Sequence, residues 1–169
     1  MQQMVISNIN DGDFQSLNLN ELFDPNGKHK NSFEFQRSCV TNPFAGEGGK
    51  LEIYFYTLPP GKASYPYHYH IVNEEAFYIV SCKATLKTPD GERTVSSGDM
   101  IVMPANANGA HMLVNTSDTP LVYIDIQTAN SPDIAIRPDD GKFLVIGGSK
   151  EIFLKTFKID SAVNYLADE

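Results

Sequence analysis

Residues 66–80 read PYHYHIVNEEAFYIV. Two histidines stand one residue apart, and a pair of glutamates follows at the head of an apolar run. In an extended strand the side chains at i and i+2 share a face. His68 and His70 therefore point one way, and Tyr67 and Tyr69 the other. Two imidazoles on one strand face can close on a single metal ion. In the run that follows, Glu75, Phe77 and Ile79 share one face, and Ala76, Tyr78 and Val80 the other. If Phe77 and Ile79 are core, Glu75 turns inward and Glu74 outward. Periodicity alone leaves either face as the core, so Glu74 stays open as the alternative carboxylate.

The sequence around this stretch has the pattern of short strands. SFEFQRSCV (32–40), LEIYFYTL (51–58), EAFYIVSC (75–82), ATLKT (84–88), DMIVM (99–103), HMLVN (111–115) and LVYIDIQ (121–127) are rich in aromatic and β-branched residues. Turn signals separate them: PPGK, TPDGE, SSGD, NANG and SDTP. Asp90-Gly91 between two such runs predicts a hairpin. Many short strands with regular turns point to a sandwich or barrel. The polar, Asn-rich first 31 residues read as an arm, 32–128 as the barrel, and 129–169 as an extension packed on it. DSAVNYLADE (160–169) has helical spacing, with Asp160 or Ser161 as cap, and predicts a short C-terminal helix.

Bulk properties narrow the function. The chain has 169 residues, 41% of them hydrophobic, which suits one domain with a true core. Thirteen basic residues against 21 acidic give a net charge of −8. That balance disfavours nucleic acid and anionic membrane surfaces as partners. No apolar run is long enough to span a bilayer, and no leader pattern opens the chain. Cys39 and Cys82 form no CxxC pair and read as free thiols in a cytoplasmic protein.

A third histidine, His111, opens the strand HMLVN, and an antiparallel barrel can bring it beside the first two. His29 lies in a polar loop and reads as a solvated residue. Cys82 ends an apolar strand and reads as a small buried hydrophobe. Tyr54, Tyr56, Tyr78 and Tyr123 sit in strands, with core packing as the simplest role and a hydrogen bond to substrate as the functional one. Asp125 interrupts LVYIDIQ, so its face is expected to meet solvent, unless it accepts a hydrogen bond from a ligand imidazole. GEGGK (46–50) lacks the spacing of a phosphate loop and precedes a strand, so it reads as a flexible connection.

Gly61, six residues, His68-Tyr69-His70, four residues, Glu75, and six residues to Cys82 resembles the first cupin motif, G(x)5HxH(x)3–4E(x)6G. Gly98, five residues, Pro104, then Gly109, His111 and Asn115 resembles the second, G(x)5PxG(x)2H(x)3N. The departures fall in turns: one extra residue before His68, Cys82 at a glycine position, Asn106 at another, and His111 two residues late. RPDDGK (137–142) resembles the tail of a group of small bacterial cupins.

The resemblance implies an all-β, double-stranded β-helix, the RmlC-like jelly-roll barrel. It also implies His68, His70, Glu75 and His111 as ligands of one divalent transition metal. Three nitrogens and a carboxylate suit Fe, Mn, Ni, Zn or Cu and leave open positions on an octahedral ion. The expected function is a metalloenzyme acting on a small polar molecule, of oxygenase, isomerase or decarboxylase type. The alternative is a non-catalytic cupin that binds or senses a small ligand. A homodimer is the state the resemblance implies.

Overall fold

The computed structural model describes residues 4–23, 27, 33–41, 49–147 and 153–166. His29 and most of the Gly-rich connection at 46–50 lie outside them. The described residues form thirteen strands. They are β1 (Gln15–Asn18), β2 (Glu34–Cys39), β3 (Leu51–Leu58), β4 (Tyr69–His70), β5 (Glu75–Ser81), β6 (Lys83–Thr88), β7 (Gly91–Ser96), β8 (Met100–Met103), β9 (Met112–Val114), β10 (Leu121–Thr128), β11 (Asp133–Arg137), β12 (Lys142–Gly147) and β13 (Phe153–Lys158). One α-helix, α1 (Leu19–Phe23), follows β1. No helix among the described residues is long and apolar enough to cross a membrane.

All strand pairs are antiparallel. One wall has the order β1-β2-β3-β10-β5-β8. The other is made of β13-β12-β11-β4 and β7-β6-β9, joined by a bridge between His68 and His111. This is the jelly roll that the sequence predicts. Each wall also joins strands far apart in sequence, as β10 between β3 and β5 shows, so the walls form only when the whole chain is wound.

Alternation sets what each wall turns inward. Along β5 the buried residues are Glu75, Phe77 and Ile79, while Tyr78 is exposed. Along β10 they are Leu121, Tyr123 and Asp125. Phe35, Leu58, Phe77, Ile79, Leu113 and Leu121 meet in one core cluster. Each such side chain contributes roughly 1.5–3 kcal/mol by leaving water. Tyr54, Tyr56 and Tyr123 also point inward, with the Tyr56 and Tyr123 rings stacked at 4.9 Å.

Three expectations are corrected. The face carrying Asp125 is not solvated: Asp125 is 3% exposed and lies in the barrel. Both faces of LVYIDIQ carry apolar residues, so alternation could not say which is inside. The C-terminal helix is only a 3-10 turn at Ile159–Ser161, and 162–166 are not helical. A short segment without a surface to pack on cannot offset the cost of helix nucleation. Residues 160–166 are exposed to solvent throughout. Within the N-terminal arm, β1 pairs with β2 and extends the first wall.

Cys82 is also not a buried hydrophobe. It is half-buried, and its Sγ lies 2.9 Å from Ser117 Oγ and 3.1 Å from Thr119 Oγ1. Hydrogen bonds from those two hydroxyls lower its pKa. Its backbone has φ +74°, the left-handed region that favours glycine. The glycine in the family motif at this position thus has a steric reason, and the cysteine is strained. Cys82→Gly should stabilise the protein by about 1 kcal/mol. A urea unfolding midpoint at or below that of the wild type would show that the sulfur contacts outweigh the strain.

Candidate metal centre

His68 precedes β4, His70 lies in it, Glu75 opens β5 and His111 precedes β9. Two backbone hydrogen bonds clamp the middle of this arrangement. His68 N donates to His111 O at 3.1 Å, and His111 N donates to His68 O at 2.9 Å. The turn before His111 depends on Gly109, because a Cβ there would sit 2.1 Å from Pro104 O. That turn is a 3-10 helix, Ala107–Gly109, capped by the Asn106 side chain.

The structure brings all four side chains together. One ligand atom from each of His68, His70 and Glu75 lies within 4.8 Å of the others, a group able to hold a metal ion. The His68 ring lies 4.8 Å from that of His111 and 5.2 Å from that of His70. Glu75 Oε2 is 3.2 Å from His111 Nε2 and 3.9 Å from His70 Nε2. Glu74 is exposed and faces away.

Each imidazole is held by its Nδ1. His68 Nδ1 meets Pro66 O at 2.8 Å, His111 Nδ1 meets Gly109 O at 2.9 Å, and His70 Nδ1 meets Asp133 Oδ2 at 2.5 Å. A carbonyl or carboxylate oxygen only accepts, so all three Nδ1 atoms carry the proton. Nε2 is then the ring nitrogen left to meet a ligand or a metal ion. Glu75 Oε2 lies 3.2 Å from His111 Nε2 and is buried without a well-aligned hydrogen bond. A buried carboxylate oxygen without a well-placed donor is unfavourable unless a cation meets it. The residues therefore fit a metal ion.

Charges in the site are strongly perturbed. Burial and the neighbouring His111 hold His68 down at about 3, so it is neutral at physiological pH. Burial opposes ionisation of Glu75, but the facing histidines outweigh it and hold its carboxyl at about 2. Burial also opposes a charge on His70, yet Asp133 outweighs it and raises His70 above its ordinary value. A more basic imidazole is a stronger ligand. Burial, then the charges of Glu75 and Glu52, push Asp125 well above the usual carboxylate range. Asp125 Oδ1 is buried without a hydrogen bond.

Reading the sequence offered Asp125 as the alternative acceptor for a ligand imidazole and missed Asp133. Asp133 is 2% exposed and also accepts from Val72 N, Asn73 Nδ2 and Ile134 N. It belongs to β11, which pairs with β4 so that Ala135 faces His70 across the ladder. Only that pairing reveals the contact.

Residues 54–127 match the family model described as Cupin domain. Over that span, less than half of its length, the chain resembles a cupin domain. A sugar phosphate isomerase of the cupin superfamily from Silicibacter pomeroyi is 22% identical, with TM-score 0.65 over 77% of this chain and 81% of its own. A candidate sugar phosphate isomerase from Acidithiobacillus ferrooxidans is 23% identical, with TM-score 0.67 over 88% and 94%. A predicted oxalate decarboxylase from Thermotoga maritima is 17% identical, with TM-score 0.57 over 76% and 100%. At these identities the likeness is one of fold. No curated protein matches the chain.

Asp133→Asn should weaken metal binding about 10–100-fold, measured by competition with a chelator, because it removes the charge that orients His70. The same variant tests a linkage to pH. Burial opposes ionisation of Asp133, but its bond to His70 outweighs burial and holds its folded pKa below the usual 3.8. The stability it contributes is then present above 3.8 and lost as pH falls through the lower folded value. Urea unfolding should find the gap between wild type and Asp133→Asn wide at pH 7 and narrowing in acid.

Proposed function

We propose that this chain is a metal-dependent cupin enzyme acting on a small polar molecule. His68, His70, Glu75 and His111 would hold one divalent transition metal, with Fe, Mn, Ni, Zn and Cu all suited to the donor set. The observation that carries the reading is the three imidazoles fixed through Nδ1, their Nε2 atoms converging on the bare Glu75 Oε2. A bound ion would supply a Lewis acid that polarises a substrate oxygen.

The chain's own residues do the rest. Asp133 and the carbonyls of Pro66 and Gly109 orient the rings. Phe77 packs edge-on to His111 at 5.3 Å and keeps water from that side. Asp125, Tyr54 and Tyr123 line the same interior and give a substrate polar groups to meet. The named relatives include isomerases and a decarboxylase, so the fold leaves the reaction open.

The proposal includes a cytoplasmic homodimer. Two free thiols support the location. Exposed Phe153, Leu154 and Phe157 on the edge strand β13 support pairing of copies. Light scattering should give twice the chain mass at micromolar concentration, and a monomer would remove that part.

Elemental analysis of protein purified without a His-tag or chelator tests the centre itself. A single transition-metal ion per chain is expected, lost in both His68→Ala and His111→Ala. Metal-free protein that also refuses added Fe(II), Mn(II), Ni(II) and Zn(II) would overturn the reading.

A further inference from the structure

Arg37 is a cation turned toward a polar interior, and among the described residues no carboxylate forms an ion pair with it. It lies in β2, next to the fully buried Tyr56 of β3, which pairs with Tyr123 of β10 and through it with Ile79 of β5. The guanidinium sits 4.7 Å from the centre of the Tyr54 ring. Its Nη1 donates to Tyr65 Oη at 3.3 Å. Tyr65 Oη is in turn 3.2 Å from Tyr56 Oη.

These contacts hold the guanidinium but do not neutralise it. Burial raises the pKa of Tyr54, Tyr56 and Tyr65, so all three are neutral phenols at physiological pH. Among the described residues no carboxylate lies within ion-pair distance of Arg37. Glu52 is engaged elsewhere, taking a hydrogen bond from Tyr54 Oη on Oε1 and one from Gln127 Nε2, at 3.0 Å, on Oε2. The N–H groups of Arg37 that meet protein acceptors are directed at the hydroxyls of Tyr65 and Tyr56, and no carboxylate among the described residues takes the others. A half-buried guanidinium left with its fork open is matched to a planar or tetrahedral oxyanion.

Tyr65 links this group to the candidate metal centre. Its hydroxyl touches Arg37, and its ring stands 6.1 Å from the His68 ring, edge to face. One tyrosine side chain therefore separates the guanidinium from the nearest candidate ligand.

We propose that Arg37, with the hydroxyls of Tyr65 and Tyr56, binds the anionic group of the substrate, a carboxylate or a phosphate. The substrate is then a small acid or phosphate ester about as long as one tyrosine side chain, held at one end by Arg37. Its other end reaches the histidines. This assigns a substrate class to the enzyme proposed above and rests on that reading for the reacting end alone; the anion site stands on its own contacts.

The test is calorimetric titration of the full chain with inorganic phosphate, with malonate, and with malonamide as the neutral control. It is run on protein of measured metal content and again after chelation. One of the two anions should bind in both states, and malonamide should not. Arg37→Gln should weaken that binding about ten- to hundredfold with metal content unchanged. Arg37→Lys, which keeps the charge but loses the fork, should fall between, and Tyr65→Phe should weaken it less. Circular dichroism establishes that each variant is folded. Phosphate binding without malonate binding identifies a phosphate ester, and the reverse identifies an acid. Binding untouched by Arg37→Gln and Arg37→Lys, equal binding of malonamide, or no binding of either anion would overturn the inference. Binding abolished by chelation and indifferent to Arg37 also overturns it, while supporting the metal centre. Binding that depends on Arg37 in a chain taking up no metal sustains it and removes the metalloenzyme instead.

Discussion

The paired backbone hydrogen bonds between His68 and His111 are the point on which the rest turns. They join two separate sheets into one barrel wall. They also set two imidazoles from distant parts of the chain side by side. The same bonds that close the fold thus assemble the site, and neither can be relaxed without the other. Gly109 serves both, since its lack of a side chain admits the tight turn and its carbonyl orients His111.

Around that clamp the barrel holds an interior more polar than stability alone would favour. Glu52, Glu75, Asp125 and Asp133 are all buried. Desolvating a carboxylate is costly unless hydrogen bonds or a cation compensate. Asp133 is fully compensated by His70 and three N–H donors. Glu75 and Asp125 each keep a bare oxygen. The contrast separates a carboxylate that supports the site from those poised to meet something within it. Local rules are broken where function is concentrated, and the apolar floor of Phe77, Ile79 and Leu121 offsets the loss.

Much of this was legible in the residues. Short aromatic and β-branched runs with turn residues between them define an all-β chain. The i, i+2 spacing of His68 and His70 places both on one face, and the alternation of Glu75, Phe77 and Ile79 agrees with the buried face of β5. Cys82 at a glycine position marks a turn, and its positive φ explains what the motif requires there. LVYIDIQ was ambiguous because both faces are apolar enough to be core, and the choice fell wrongly on a solvated Asp125. The helical spacing of 160–169 misled because period is only a permission: with nothing to pack against, residues 160–166 stay exposed.

The sequence by itself determined the strand pattern and the pair of histidines. It also determined the kind of chemistry open to a cluster of imidazoles and a carboxylate. These are local properties, carried by alternation and residue type over a few positions. Tertiary structure alone decided that His111 stands against His68, that Asp133 rather than Asp125 orients His70, and that Arg37 faces tyrosine hydroxyls with no carboxylate in ion-pair contact among the described residues. Each of those is a contact between strands far apart in the chain. Antiparallel register is fixed by the packing of the whole barrel, and no short window of sequence contains it.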